Sequence, residues 1–384
     1  SHISRILHQR NEQIEYQNIG QKDNHAAHTA NDTIDDQIVQ LFTQRMDVVA
    51  RIADYKKANN LPILVPARER EILVDVAKKA GPEMGNYTRV LYSMLFELSR
   101  SYQSKRNDIA PPLYHQILDS IENTSKLFPQ NPVVACQGVE GAYSQLACDK
   151  MFTYPDIMYF SGFEDVFKAV DSGLCRYGIL PVENSTAGSV NQVYDLMSKY
   201  KFYITHSLKL CVEHKLLVNG GATISSIKEI YSHEQALRQC SEFISSLGIK
   251  THVCKNTAEA AKLVAESGRT DIAAIGSKEC AEVYLLNILS GNIQNTQNNY
   301  TRFICISKTP EIYPGANKTS LMLSIPHKPG SLYNIIARFA ALDLNLTKLE
   351  SRTVSGSNFE FRFYFDIEAS VYSDNFKELI AELE

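Results

Sequence analysis

The sequence predicts a multidomain chain with an all-α N-terminal region, an α/β middle and an α+β C-terminal region. Three observations carry this. Apolar residues recur at helical spacing from Asp32 to about Gln103, and strand-like and helical segments alternate from 133 to about 308. Beyond Pro310–Asn317 the order becomes strand, helix, strand, strand, helix. A chain of 384 residues accommodates two or three such domains.

The bulk composition narrows the class. Apolar content of 44% is that of an ordinary globular protein, and a net charge of −4 gives no reason to expect nucleic acid or a membrane surface. No stretch approaches the roughly 18 apolar residues of a membrane span, and no signal-peptide pattern opens the chain. The eight cysteines (136, 148, 175, 211, 240, 254, 280 and 305) show no CxxC and no His/Cys ligand spacing. Free core thiols in a reducing cytoplasm explain them, and no metal is expected.

Residues 1–25 are rich in Gln, Asn and His without a sustained apolar face, which predicts a polar extension or scar; the first residue is Ser rather than Met. The helical domain is expected over 26–107. Its first helix carries Ile34, Ile38, Leu41, Val48 and Ile52 on one stripe, expected to face the core. Leu61–Pro66 breaks it, a second helix runs from Ala67 to about Ala80, Gly81-Pro82 breaks again, and a third spans about Tyr87–Gln103. A linker covers 108–131, with a short helical piece around Tyr114–Ile121. The α/β region, 132–310, has candidate strands at Val133–Cys136, Tyr177–Val182, Leu216–Val218, Ile230–Tyr231, Ile272–Ile275 and Phe303–Ser307. The last domain, 317–384, reads Ser320–Ile325, Ser331–Ala341, Leu346–Ser351, Phe359–Ile367 and a helix from about Asp374 to the end.

The first helix puts cations on its apolar stripe. Arg45 and Lys56 are eleven residues apart, about three turns, so they point the same way. A cation facing a core is costly unless paired, although one alone is explained by snorkelling to the rim. Two on one stripe, followed by Arg68-Glu69-Arg70, suggest an enclosed polyanionic ligand. Ser99 and Gln103, one turn apart on the third helix, add neutral hydrogen-bonding groups.

This constellation is similar to the all-helical chorismate mutase family. The resemblance implies that Arg45 and Arg68 clamp the two carboxylates of chorismate, and that Lys56 and Gln103 donate to the ether oxygen as its bond breaks. Glu69 and Ser99 are implied to hold the substrate hydroxyl and a carboxylate. A pericyclic rearrangement needs no nucleophile, only a compact conformer and charge stabilisation. Two positions depart from the family: His28 stands where an Arg is usual, and Val65 where an Asp is frequent.

In the α/β region, polar turns follow strands and open helices: Gln137–Ser144, Glu183–Thr186, Ser232–Gln235 and Asn256-Thr257. Each alone is explained by ordinary capping. Four of them, together with Thr301-Arg302 at the mouth of the strand Phe303–Ser307, exceed what capping requires and suggest helix N-termini aimed at carboxylates.

Gly141-Ala142-Tyr143-Ser144, Pro181–Ser189, Ser232–Ala236 and Thr301-Arg302-Phe303 resemble, in order and spacing, the motifs of the prephenate dehydratase family. The resemblance implies a periplasmic-binding-protein-like fold with one lobe of 132–208 plus 296–310 and another of 209–295. The substrate, prephenate, would lie in the cleft and lose water and carbon dioxide to give phenylpyruvate. It assigns the proton for the departing hydroxide to Thr301, with Arg302 or His233 expected to polarise that hydroxyl or relay a proton. Glu183, Asn184, Ser185, Thr186, Ser232, Gln235 and Thr257 are expected to bind carboxylates and hydroxyl. No cofactor is implied, and Phe303 is expected to be core.

The C-terminal frame, with Gly330-Ser331-Leu332-Tyr333 turning a strand into a helix and Glu350-Ser351-Arg352 ending the next, resembles a ferredoxin-like ACT regulatory domain. The resemblance implies that these residues bind L-phenylalanine between paired domains. The family's final strand is missing, because the chain stops at Glu384 inside the second helix; an unpaired edge and a truncation are expected. Together the regions resemble the bifunctional P-protein family, which implies cytoplasmic phenylalanine biosynthesis by a homodimer or homotetramer. The competing readings are a monofunctional, phenylalanine-regulated dehydratase with a weakened mutase-like dimerisation domain, and a binding module without catalysis. Preference between arogenate and prephenate stays open.

Overall fold

The structure, a computed structural model, describes residues 2–106, 112–353 and 361–383. The chain divides into two compact units. One comprises Ser1–Pro112, Ile336–Arg338 and Lys377–Glu384; the other comprises Leu113–Ile335 and Phe339–Phe376.

The first unit contains α1 (His2–Ala58) and α2 (Pro66–Arg106). Residues 2–25 continue α1, so the expected polar extension is helical. They contain little that breaks a helix, and lacking an apolar face they left no periodic signal. The turn between the helices contains Asn60 in the left-handed region (φ 51°) and is tied back by Leu61 N–H donating to Lys56 O at 2.9 Å. The expected break at Gly81-Pro82 stands: Gly81 is non-helical at φ 79° and ψ 176°, dividing α2 into two helices that fold back so that Arg100 pairs with Glu69. The stripe expected to face the core is corrected by one position. Val49 and Ala53 are buried, whereas Ile38 and Leu41 are 57% and 63% exposed, and Ile34, Val48 and Ile52 are exposed as well. The inner face is the neighbouring line Arg45, Met46, Val49, Ala53 and Lys56. The boundary expected at 107–108 lies outside the described residues.

The second unit opens with α3 (Pro112–Asn123). Then come β1 (Val133–Gln137), α4 (Tyr143–Met151), β2 (Asp156–Phe160), α5 (Phe163–Asp171) and β3 (Tyr177–Asn184). The chain continues with β4 (Gly188–Ser189), α6 (Asn191–Tyr200) and β5 (Tyr203–Cys211). A second lobe follows: β6 (Lys215–Val218), β7 (Glu229–His233), α7 (Glu234–Gln239), α8 (Ser241–Leu247), β8 (Lys250–Cys254) and α9 (Thr257–Ser267). It ends with β9 (Ile272–Gly276), α10 (Lys278–Val283) and β10 (Asn287–Ser290). Next, β11 (Tyr300–Ser307) returns to the first lobe. The first sheet has the order β2-β1-β3-β11-β5, with β4 paired to β3, and the second β10-β6-β9-β7-β8. The return of β11 between β3 and β5 sets Thr301 on the first lobe, at the end of its sheet.

The core lies on both faces of the first sheet. Leu180, Val182, Ile304 and Ile306 pack with Val166, Phe167, Val170 and Val193 of α5 and α6. Val134, Cys136, Ile179, Phe303 and Cys305 pack with Ala147 and Cys148 of α4 on the other face. All eight cysteines are free thiols.

The final segment is β12 (Thr319–Ser324), α11 (Ser331–Ala341), β13 (Leu346–Thr353), β14 (Phe361–Ile367) and α12 (Asp374–Leu383). Its strands pair antiparallel in the order β12-β14-β13, as the βαββα reading requires. Residues 359–360 of the expected strand, and Glu384, lie outside the described residues. No described helix is long and apolar enough to cross a membrane.

Candidate active sites

In the helical unit, three of the expected residues, Arg45, Ser99 and Gln103, are joined by hydrogen bonds, and Lys56 lies about three turns beyond Arg45 on α1. Arg45 Nη1 donates to Leu95 O at 3.3 Å and to the Ser99 hydroxyl, and Gln103 Nε2 donates to Ser99 O at 3.1 Å. Lys56 Nζ donates to Ile63 O at 2.6 Å. Ser99 and Gln103 are buried, and the buried Gln103 Oε1 has no partner among the described residues. Burial lowers the pKa of both Arg45 and Lys56, opposed at Lys56 by the charge of Glu69. Neither cation makes an ion pair among the described residues. The helices therefore hold two partly desolvated cations beside neutral donors, an arrangement that favours an incoming dianion. Glu69 accepts from Arg100, which also pairs with Glu97. Arg68 is not drawn into this group: it is exposed and pairs with Glu71 at 2.6 Å, one turn along α2. His28 and Val65 are exposed.

The second site is built around Asn184, at the end of β3. Its Nδ2 donates to Thr301 Oγ1 at 2.9 Å, to Asn299 Oδ1 at 2.8 Å and to Tyr300 O at 3.3 Å. Its Oδ1 accepts from Thr186 Oγ1 (2.7 Å), Ala187 N (2.9 Å), Thr186 N (3.1 Å) and Gln235 Nε2 (3.3 Å). The Glu183–Thr186 turn is thus an Asx-type turn that feeds β4, and does not itself open a helix. Ser185 reinforces it, donating to Asn298 O at 3.0 Å and accepting from Tyr300 N at 2.9 Å. Thr301 is buried, and its hydroxyl proton has no acceptor among the described residues.

The lobes meet around this hub. Gln235 reaches Asn184 from α7. Gln239, one helical turn further, donates to Thr186 Oγ1 at 2.6 Å while its Oε1 lies 2.9 Å from His214 Nε2 and accepts from Asn299 Nδ2 at 3.1 Å. The sequence pattern does not single out Gln239, Asn299 or His214. The one available cue was Gln239's spacing of four from Gln235, which puts both on one helix face. Gly141, at φ 84°, brings the first turn against α10: a Cβ there would stand 3.3 Å from Cys280 Sγ.

Several expected roles change. Thr301 and Arg302 are consecutive in a strand, so they point to opposite faces. Arg302 stands across from Glu183, away from the cleft face shared by Thr301 and Asn184. Its guanidinium pairs with Asp366, and Glu183 lies 3.3 Å from Lys348 Nζ. Neither Arg302 nor His233 hydrogen-bonds Thr301. His233 caps α7 through Nδ1, which accepts from Gln235 N at 3.3 Å, and burial pushes its pKa down. Ser232 is fully buried and donates to Ile275 O at 2.7 Å, so its hydroxyl stitches the second sheet and does not face a ligand. Thr257 is buried at the first position of α9, behind the cap Asn256. Phe303 is core, as expected.

In the C-terminal sheet the expected effector residues separate. Glu350 accepts from Ser189 Oγ at 2.6 Å, and Arg352 holds Asp195 with two hydrogen bonds of 3.0 and 2.9 Å, so both face the first lobe. Ser351, between them, is exposed on the opposite face. Gly330 takes φ 86° just ahead of Ser331 and Leu332, and Tyr333 is exposed.

Two family models match the chain: prephenate dehydratase over residues 134–311 and chorismate mutase type II over residues 29–104. The bifunctional chorismate mutase/prephenate dehydratase of Enterobacter agglomerans is 30% identical over 362 residues, 91% of this chain and 90% of the relative. The chloroplastic arogenate dehydratase/prephenate dehydratase 2 of Arabidopsis thaliana is 36% identical over 282 residues, 70% of this chain and 72% of the relative. The crystal structure of the prephenate dehydratase from Staphylococcus aureus subsp. aureus Mu50 is 27% identical, with a TM-score of 0.57, covering 65% of this chain and 94% of that one.

Proposed function

The chain belongs to the family of bifunctional chorismate mutase/prephenate dehydratases, and from that premise we propose how its own residues carry the two reactions of phenylalanine biosynthesis. Chorismate is rearranged to prephenate in the helical unit, and prephenate is converted to phenylpyruvate in the two-lobed region.

The hydrogen bond from Asn184 to Thr301 carries the dehydratase reading. With Oγ1 already accepting, the Thr301 proton is directed elsewhere, toward the hydroxyl of prephenate. The four donors on Asn184 Oδ1 polarise the amide and strengthen its N–H as a donor. As the C–O bond breaks, the departing oxygen takes the Thr301 proton and leaves as water. The ring carboxylate leaves as carbon dioxide, its bonding pair restoring aromaticity. Asn184 stabilises the charge developing on Oγ1 until a proton from solvent replaces the one consumed. Gln235, Ser185 and Thr186 at the lobe junction position the substrate.

In the mutase site, Arg45 binds a carboxylate and Lys56 with Gln103 supports the ether oxygen, the charge being matched by a dianionic substrate. Arg68 joins as the second clamp by exchanging its exposed pair with Glu71, which is worth only about 0–1 kcal/mol. The exposed line of Ile34, Ile38 and Leu41 packs on a second copy of the chain, giving a homodimer. The βαββα domain is an ACT-type sensor for L-phenylalanine, with Gly330–Tyr333 at its pocket. A cytoplasmic location fits the eight free thiols.

Assays started with chorismate, prephenate or arogenate, each with and without phenylalanine, test this directly. Chorismate consumption is compared with that of a His28→Arg, Val65→Asp double variant. Turnover close to the double variant's supports an active mutase site, whereas no turnover without those substitutions favours a dimerisation role for the helices.

A further inference from the structure

The catalytic end of β11 is not held by regular pairing alone. Against β3 the register slips between Arg302 and Phe303: Arg302 faces Glu183 and Phe303 faces Pro181, leaving Val182 as an extra residue. Thr301 and Asn184 lie beyond this bulge, on the cleft side. Bulges re-aim side chains, but they also interrupt the ladder that fixes strand position.

On its other side β11 pairs with β5 in unbroken register from Tyr300 to Cys305, and on the bulged side a restraint comes from the C-terminal sheet. Arg302 pairs with Asp366 of β14, and the opposite residue, Glu183, lies 3.3 Å from Lys348 of β13. Asp366, Arg302 and Lys348 are all largely buried, and the four charges alternate in sign. Asp366 is oriented in turn, its Oδ1 accepting from Ser320 Oγ of β12 at 2.5 Å. Lys348 Nζ also donates to Ser189 Oγ at 3.0 Å and lies 5.3 Å from the centre of the Tyr194 ring. Both residues of the pair on the cleft side of the bulge are therefore held from the same sheet by opposite charges.

We propose that Asp366 is a positioning residue for the dehydration step: through Arg302 it fixes the end of β11, so that Thr301 stays registered on Asn184. The proposal rests on the reading of Thr301 as proton donor. It assigns the C-terminal sheet a part in the chemistry of the uninhibited enzyme.

The test uses the full chain and both reactions. Asp366→Asn keeps the shape and removes the charge. It is expected to lower kcat for phenylpyruvate formation about tenfold, with KM for prephenate changed less than about twofold and chorismate consumption unchanged. Asp366→Glu should recover most of kcat. Ser320→Ala, which only loosens the carboxylate, should lower kcat about twofold to threefold and is the informative variant if Asp366→Asn folds poorly. Wild-type kcat in Asp366→Asn, or equal loss of both activities in Asp366→Asn and Ser320→Ala, overturns the proposal. Thr301→Val is run beside them. If it is inactive while Asp366→Asn is normal, only the coupling fails; if it is itself active, the reading of Thr301 fails and the coupling with it.

Discussion

Asn184 Nδ2 donates to Thr301 Oγ1 at 2.9 Å from directly across the β3–β11 ladder, so the donor and the hydroxyl it polarises are fixed by strand register. Asn184 has hydrogen bonds on both ends of its amide, which allows its two jobs to be separated by substitution.

Asn184→Asp retains an acceptor for Thr186 and Ala187 but loses the donor to Thr301. It is expected to lower kcat for prephenate about 100-fold, the scale of a lost oxyanion donor, and to lower Tm, because its second carboxylate oxygen would face Asn299 Oδ1 and Tyr300 O. Asn184→Leu loses both ends and leaves the Thr186 and Ala187 amides unpaired, so it should lower Tm as well. Steady-state kinetics and calorimetry on the two variants check this.

Gln239 ties Thr186 to Asn299 and His214 across the lobes. Gln239→Leu breaks all three contacts without touching Thr301. The expected result is a KM for prephenate raised about tenfold, with a smaller fall in kcat, because the turn that positions substrate loosens.

The two activities separate by substitution in the helical unit. Gln103→Leu and Arg45→Ala are each expected to reduce chorismate kcat/KM by about 100-fold or more, leaving prephenate conversion unchanged. Introducing Glu at both Ile38 and Leu41 should shift sedimentation toward a monomer, because it charges the exposed stripe.

Burial lowers the pKa of His206, His214 and His233. The folded protein therefore binds fewer protons than the unfolded chain once pH drops below the ordinary histidine value of about 6.5. Their stabilising contribution is complete above that pH and is lost as pH falls toward the folded values. Tm should decline as pH falls below about 6.5, and His214→Gln should flatten the decline, since that ring is 2% exposed and its Nδ1 has no partner among the described residues.

Much of the architecture was legible in the sequence, because periodicity and turn residues are local. The return of the Thr301 strand to the first lobe and the βαββα frame both stand. Strands β2, β4, β5, β8 and β10 escaped, since they are short or carry polar residues among the apolar ones, as in Tyr203–Cys211. The core stripe of α1 was placed one residue off because apolar residues ring the helix widely. Side-chain roles were harder. Strand alternation alone was enough to separate Arg302 from Thr301, but its partner Asp366 is 64 residues away and no local pattern joins them. Ser232 matched a motif, yet its hydroxyl is spent on Ile275 O.

The most direct test is phenylpyruvate formation from prephenate by Thr301→Val, with chorismate consumption by the same preparation as the internal control. Loss of about 1,000-fold in kcat with the mutase rate unchanged, and recovery to within about tenfold in Thr301→Ser, is the predicted result. Dehydration by Thr301→Val within about tenfold of the wild-type rate would contradict Thr301 as the proton donor.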